Sequence, residues 1–170
     1  SADLAGKYSP EEMPEPIPDN HRITRAKDII LDSCLQDWCK LNFRKLNRQK
    51  AMKMRAHYAA LITQIDTQVG RIIQALKDVG AYENSMIIFT SDHADMLGDY
   101  GMPYKHLFFD TSIHVPLIVR HPGQTTGNVS HKLVQNGDAI PTSMAFAGMD
   151  IPVNFDLKKL PDLPVSDVNF

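Results

Sequence analysis

Residues 86–93 read Met-Ile-Ile-Phe-Thr-Ser-Asp-His, a short apolar run that stops at two polar residues, Asp92 and His93. Because successive positions of the run are apolar, it predicts a central strand of a sheet that is covered on both faces. The run Val115-Pro-Leu-Ile-Val-Arg120 predicts a second strand, with its proline near the start, where a missing N–H donor is tolerated. Two strands do not make a stable covered sheet alone, so the sequence calls for more sheet than it contains.

A long helix is predicted before the first strand. Apolar residues recur at three- and four-residue steps between residues 53 and 79, which is the pattern of one face of an amphipathic helix. Gly80 suits the position that ends such a helix. Gly70 lies inside the pattern, where glycine costs about 1 kcal/mol relative to alanine. It therefore predicts a packing partner that approaches the helix closely.

Two shorter helices complete the predicted elements. Residues 24–46 carry an imperfect apolar face, and residues 140–147 read as a short helix with Asp138 as its N-cap and Gly148 as its stop. The order helix, strand, loop, strand, helix is typical of α/β proteins. We therefore expect an α/β fold in which helices flank a partial mixed sheet.

Length and composition place the chain among ordinary globular proteins. Its 170 residues are enough for about one domain, and 43% of them are hydrophobic and 22% charged. The formal net charge of -2 gives no sign of a nucleic-acid footprint or of a membrane-surface patch. No apolar run approaches the roughly 20 residues that span a bilayer. Residues 1–20 are rich in proline and predict an irregular connection.

Asp92 and His93 stand where ligands gather in α/β proteins, at the carboxyl end of a predicted strand. A carboxylate beside an imidazole can bind a divalent metal ion, since one supplies charge and the other a directional nitrogen. Two ligands are too few for a complete site, so further ligands must come from elsewhere. The alternative is structural, with Asp92 capping a turn and His93 as a hydrogen-bond partner.

The residues that follow favour the metal-binding interpretation of Asp92 and His93 over the structural one. The run Phe89-Thr-Ser-Asp-His-Ala-Asp-Met-Leu-Gly-Asp-Tyr-Gly101, then Lys105, then Val115-Pro-Leu-Ile-Val resembles the C-terminal active-site segment of the sulfatase family in order and spacing. The resemblance extends over about residues 8–155 and implies an alkaline phosphatase-like fold. It divides the chain into an irregular Pro-rich connection at 1–20, the C-terminal part of a sulfatase catalytic domain at 21–155, and a tail at 156–170.

The resemblance also implies roles for individual residues. Asp92 and His93 match two metal ligands of the family, whose ion is calcium or magnesium, with manganese as a further candidate. Lys105 matches the lysine that contacts the sulfate and the nucleophile, so it is the expected catalytic and substrate-binding cation. His106 is a weaker candidate for substrate binding, and an exposed loop histidine is the alternative. Ala94 stands where the family usually has glycine, and it would be strained if that position requires a positive φ.

Two carboxylates lie in the same loop. Asp95 and Asp99 could support the loop or the surroundings of the metal, although solvated loop carboxylates are the more ordinary interpretation. The family's other active-site motifs do not occur in the sequence. Neither Cys34 nor Cys39 lies in a Cys/Ser-x-Pro-x-Arg motif, which is matured to formylglycine, and no Asp-Asp pair is present. We therefore expect the nucleophile upstream of this sequence and no turnover by this chain alone.

The implied activity is hydrolysis of sulfuric esters of small molecules or carbohydrates by the parent enzyme. The same scaffold also hydrolyses phosphodiesters and phosphonate monoesters, because the charge demands are similar, and this is the first alternative. The second is a non-catalytic fragment or interaction module. We expect no nucleic-acid partner and no membrane-spanning segment. A periplasmic, a secreted and a cytoplasmic location all remain open.

Overall fold

The computed structural model describes residues 4, 6–19, 24–37, 46–105, 107–152, 154–161 and 163. Within these residues the helices are α1 (Thr24–Asp37), α2 (Arg48–Asp78), α3 (Asp110–Ile113) and α4 (Ala139–Phe146), and the strands are β1 (Ile87–Thr90) and β2 (Leu117–Arg120). Short 3-10 helices cover Pro10–Glu12, Tyr82–Asn84, Asp99–Gly101 and Asn136–Asp138. The chain forms two compact units, Ser1–Ile72 with His93–Val115 and Ile73–Asp92 with Pro116–Phe170.

The two strands of the second unit pair antiparallel, with Ile88 opposite Val119 and Phe89 opposite Ile118. Among the described residues this pair is the whole sheet. Phe89 is 36% exposed and Ile118 62% exposed, so the strands are not covered on both faces. The apolar runs predicted both strands correctly, while the cover that they predict is not provided by the described residues.

Arg120 joins the end of β2 to the turn that precedes β1. Its guanidinium lies 4.2 Å from the centre of the Tyr82 ring. It also donates to the backbone carbonyls of Tyr82 and, at 2.8 Å, Ser85, and it pairs with the Glu83 carboxylate at 2.8 Å. These contacts fix where β1 begins and hence the position of Asp92, which follows the end of this strand.

Helix α2 begins a turn earlier than the apolar pattern predicts. Asn47 precedes its first residue and accepts the Lys50 N–H through its side-chain oxygen at 3.0 Å, which is the N-cap interaction that starts a helix. A hydrogen bond from Arg48 to Glu15 ties the same end to the N-terminal segment and lowers the pKa of Glu15. At the other end Gly80 adopts φ 72°, as predicted for the residue that ends the helix.

The two halves of α2 differ in burial. Its buried residues all lie in the first half and are Ala51, Met52, Ala56 and Ala60. The predicted apolar stripe continues through Leu61, Ile65 and Ile72, which are 57%, 52% and 63% exposed. A Cβ atom at Gly70 would meet nothing within 4 Å, so the prediction of a close packing partner is wrong for the described residues. None of the helices described here is both long and apolar enough to cross a membrane.

Gly98 is required where the loop after β1 crosses α2. Its φ is +97°, and a Cβ atom there would lie 2.5 Å from the Cβ of Ala51. Gly98→Ala is expected to destabilise the protein by about 2–4 kcal/mol, because it adds the left-handed backbone penalty to overpacking against the helix. Denaturant unfolding of the full-length protein measures this. Gly127→Ala is the control, since a Cβ atom there meets nothing within 4 Å, and an equal effect of both changes would contradict the prediction.

Asp138 precedes α4, but it does not cap that helix as predicted. Its backbone is already helical, with φ -65° and ψ -17°, so the carboxylate points away from the first N–H groups of α4. It accepts the N–H groups of Gln135 and Lys158 instead, each at 3.1 Å. Thr142 extends this anchoring by accepting the Leu160 N–H at 2.8 Å. Gly148, with φ 67°, follows the end of α4 as predicted.

Candidate functional site

Strand β1 ends at Thr90 and places Ser91 and Asp92 at its carboxyl end. The Asp92 side chain is exposed, and the Ser91 hydroxyl donates to its Oδ1 at 3.4 Å. The next residue, His93, belongs to the other compact unit. The strand exit therefore places Asp92 at the surface of the second unit.

Asn136 crosses from the loop before α4 to this strand exit. Its side-chain oxygen accepts the Thr90 hydroxyl at 2.8 Å. Its amide nitrogen donates to the backbone carbonyl of Ser91 and, at 3.3 Å, to that of Asp92. One side chain thus contacts three consecutive residues, although it lies 44 residues from Asp92 in the sequence.

His93 and Lys105 lie together in the first unit. The Lys105 ammonium contacts Nε2 of the His93 ring. Nδ1 of the same ring lies 3.3 Å from the carbonyl oxygen of Ala94, which favours the tautomer with its proton on Nδ1. Nε2 then carries a lone pair, and Lys105 donates to it. The loop that separates these residues therefore folds back and brings a cation to the imidazole.

Ser112 holds the two ends of that loop. It is 2% exposed, and its hydroxyl donates to the Lys105 carbonyl at 3.2 Å. Its own carbonyl accepts the Ala94 N–H at 2.8 Å. The backbones on which His93 and Lys105 depend are therefore fixed through one buried residue of α3. Sequence reasoning missed both Ser112 and Asn136, since neither lies in a pattern that marks a functional residue.

The loop itself is anchored by Asp99, for which the sequence left open either support of the loop or a solvated carboxylate. Asp99 is 7% exposed, accepts the Ile17 N–H at 2.7 Å and pairs with the Arg55 guanidinium. Nε of Arg55 also donates to the carbonyl of Leu97 at 3.0 Å. Support of the loop is therefore confirmed for Asp99 and the solvated interpretation is wrong, whereas Asp95 is half-buried.

The backbone at Ala94 is unstrained. Among the described residues other than glycine, a positive φ occurs only at Leu97 (50°) and Tyr100 (54°). Alanine in place of the family's usual glycine therefore carries no penalty of the kind that a positive φ would impose. The residues of this loop that have a positive φ without being glycine, Leu97 and Tyr100, lie close to Asp99 in the sequence.

Some predicted residues lie outside the described part of the chain. His106 is one of them, as are Cys39 and the side chain of Cys34. In the remainder no group of three or more His, Cys, Asp or Glu side chains is placed to hold a metal ion. A cavity of about 450 Å³ lies in the first unit beside Pro16, Leu31 and Ala51, and neither His93 nor Lys105 lines it.

Comparison with known proteins identifies the family. The model of the sulfatase family matches residues 6–149. An arylsulfatase of Clostridium perfringens is 30% identical over 92% of this chain and 32% of its own length. The multifunctional alkaline phosphatase superfamily protein PehA of Trinickia caryophylli is 29% identical over 94% of the chain and 33% of its own length.

A solved structure agrees with these relatives. The phosphonate monoester hydrolase of Silicibacter pomeroyi superposes with a TM-score of 0.78 at 30% identity, covering 94% of this chain and 33% of that one. The predicted alkaline phosphatase-like α/β fold is therefore confirmed, and the chain spans about a third of the length of these proteins. Because the matched family model covers residues 6–149, most of the chain, one conclusion follows: the chain belongs to the sulfatase family.

Proposed function

We propose that the full-length protein hydrolyses sulfuric esters, with Lys105 as a catalytic and substrate-binding cation and with Asp92 and His93 as part of a divalent-metal site. The observation that carries the proposal is the contact between the Lys105 ammonium and Nε2 of His93. It brings together two residues whose roles were expected from the family's active-site segment. The substrate is a sulfate ester of a small molecule or carbohydrate.

The donor atoms suit a hard or borderline divalent cation. Asp92 offers an exposed carboxylate, and His93 would offer the lone pair of Nε2, which accepts from the Lys105 ammonium in this structure. Calcium, magnesium and manganese all accept such ligands. These two residues make part of a coordination shell, so the remaining ligands would come from outside the described residues. When bound, the ion would polarise the ester and lower the pKa of the nucleophile.

Lys105 has a distinct task. His93 and Lys105 contact each other through Nε2, so His93 would have to release the ammonium in order to hold a metal ion. The ammonium would then be available to a sulfate oxygen, where a fixed positive charge stabilises the charge that develops in the transition state. His106 follows Lys105 in sequence and is the weaker candidate for contacting the substrate.

The nucleophile would be a formylglycine. Because this sequence lacks the Cys/Ser-x-Pro-x-Arg motif, the modified residue would come from a part of the protein outside it. We accordingly propose that the 170-residue chain has no turnover alone. Assay of the isolated chain beside the full-length protein tests this assignment.

Hydrolysis of phosphonate monoesters or phosphodiesters is the second candidate function. The similarity to the Silicibacter pomeroyi hydrolase and to the multifunctional Trinickia caryophylli protein favours it. Parallel assays of the full-length protein on an aryl sulfate, a phenylphosphonate monoester and a bis-aryl phosphate separate the two. A higher kcat/KM for either phosphorus ester would overturn the sulfatase assignment, and no turnover of any of them would favour a non-catalytic interaction module.

Removal of the metal is expected to abolish turnover. Asp92→Ala in the full-length protein should lower kcat/KM by at least about 100-fold, because a lost ligand weakens metal binding and misplaces the ion. Titration of chelator-treated protein with calcium, magnesium or manganese measures the metal dependence. Asp150→Ala, which changes an exposed carboxylate of the same unit, is the control. Full activity in the presence of excess chelator would contradict a metal-dependent mechanism.

A further inference from the structure

The amide of Asn136 is oriented by its partners. Its nitrogen faces two backbone carbonyls, those of Ser91 and Asp92, and its oxygen faces the hydroxyl of Thr90. The reverse orientation would set the amide oxygen against two carbonyl oxygens. A side chain at this position must therefore be short and must accept a hydrogen bond at one atom and donate hydrogen bonds from another. The uncharged amide of asparagine does both.

The backbone that carries Asn136 is itself fixed. The Asp138 carboxylate accepts the Gln135 N–H at 3.1 Å, and the Asp138 N–H donates to the Gln135 carbonyl at 2.9 Å, so the turn that carries Asn136 is closed on both sides. The neighbouring residue, Gly137, packs so closely that a Cβ atom there would lie 2.7 Å from the Leu157 side chain. Asn136 therefore reaches the strand exit from a rigid base, and its three hydrogen bonds constrain β1 rather than the loop before α4.

We infer that Asn136 is a positioning residue for the metal ligand Asp92, an inference that rests on the proposed function. Its amide fixes the carbonyl groups on both sides of the Asp92 N–Cα bond, so it limits how the Asp92 backbone turns and where its exposed carboxylate points. Partners that orient a metal ligand in this way commonly contribute 10- to 100-fold to metal affinity. Without the amide, the carbonyls of Ser91 and Asp92 would lose the hydrogen bonds that Asn136 donates, and the backbone that carries the Asp92 carboxylate would be less constrained.

The test compares metal binding by the full-length protein and two variants. Asn136→Ala removes the amide, and Asn136→Leu removes it while keeping much of the side-chain volume. Both are expected to bind calcium, magnesium or manganese, each titrated as the metal alone by calorimetry, about 10- to 100-fold more weakly than the wild type. Saturating metal should recover most of the lost turnover, which a misfolded variant would not do. If Asn136→Ala does not fold, Asn136→Leu carries the comparison.

Asn128→Ala is the matched control. Asn128 lies in the same unit, and its side-chain oxygen accepts only a local N–H, that of Val129 at 2.9 Å. Its metal affinity should equal that of the wild type. Folded Asn136 variants that keep the wild-type dissociation constant would overturn the inference.

A second measurement separates this inference from the proposed function. Hydrogen exchange of the metal-free protein should rise in peptides over residues 87–93 of both Asn136 variants and stay unchanged over α4. If the wild type binds metal but hydrolyses no sulfate ester, the proposed function fails while the affinity comparison still decides the role of Asn136. Unchanged exchange at residues 87–93 would show that Asn136 does not constrain the strand exit.

Discussion

Lys105→Ala in the full-length protein is expected to lower kcat/KM for an aryl sulfate by about 100- to 1,000-fold, the usual effect of removing one donor aimed at developing charge. The ammonium lies beside His93, one of the proposed metal ligands, so it would be close to a sulfate bound at that site once metal binding displaced it from Nε2. Most of the loss should appear in kcat, because negative charge grows on the leaving oxygen as its bond to sulfur breaks. Steady-state kinetics over a range of substrate concentrations measure the two constants separately.

Two further variants make the Lys105 result specific. Lys105→Arg keeps the charge but not the compact ammonium, so it should recover only part of the activity. Lys53→Ala removes an exposed lysine from α2 in the same unit and should leave kcat/KM unchanged. A Lys105→Ala variant with wild-type kcat would exclude a role for this lysine in the chemical step, whatever happened to KM.

The contact between His93 and Lys105 shows how much of the site could be predicted from sequence. Both residues belong to one continuous run whose order and spacing match the family, and they are 12 residues apart. Asn136 could not be found in this way. It acts through backbone carbonyls 44 and 45 residues away. Every residue has such a carbonyl, so the side chains of Ser91 and Asp92 give no indication of the contact.

In the fold, too, the sequence predicted local structure but not the contacts between distant segments. Three- and four-residue spacing predicted α2, and continuous apolar runs predicted β1 and β2, because both patterns reflect local backbone geometry. They also predicted that Ile65 on α2 and Ile118 on β2 would be covered, and both remain more than half exposed. An apolar pattern indicates that a face is suited to packing, but it contains no information about which segment packs against it.

The sequence could not decide between the two interpretations of Asp99 for a related reason, and replacement of this residue should have a large effect on stability. Asp99→Ala is expected to cost about 3–5 kcal/mol of unfolding free energy, because it leaves the buried guanidinium of Arg55 without its partner. The side chains of Arg55 and Asp99 are only 14% and 9% exposed, so solvent replaces little of the lost interaction. The Ile17 N–H, bound to Asp99 at 2.7 Å, also loses its acceptor.

The same pair holds the loop that leads to Lys105. Leu97 and Tyr100 adopt φ values of 50° and 54°, and each costs about 1–2 kcal/mol in a residue other than glycine. Such a conformation persists where surrounding contacts determine it. Arg55 supplies one of these contacts by donating to the Leu97 carbonyl at 3.0 Å. Freed from Asp99, the loop would relax and carry Lys105 away from His93, so turnover should fall along with stability.

A double-mutant cycle distinguishes the pair from its separate members. Arg55→Met combined with Asp99→Ala should be less damaging than the sum of the two single changes, because removing both partners leaves no unpaired buried charge. Urea unfolding of the four full-length proteins measures the coupling, and Asp66→Ala, at an exposed carboxylate of α2, should stay within about 0.5 kcal/mol of the wild type. Additive effects, or a cost below about 1 kcal/mol for Asp99→Ala, would show that the pair contributes no more than a surface salt bridge does.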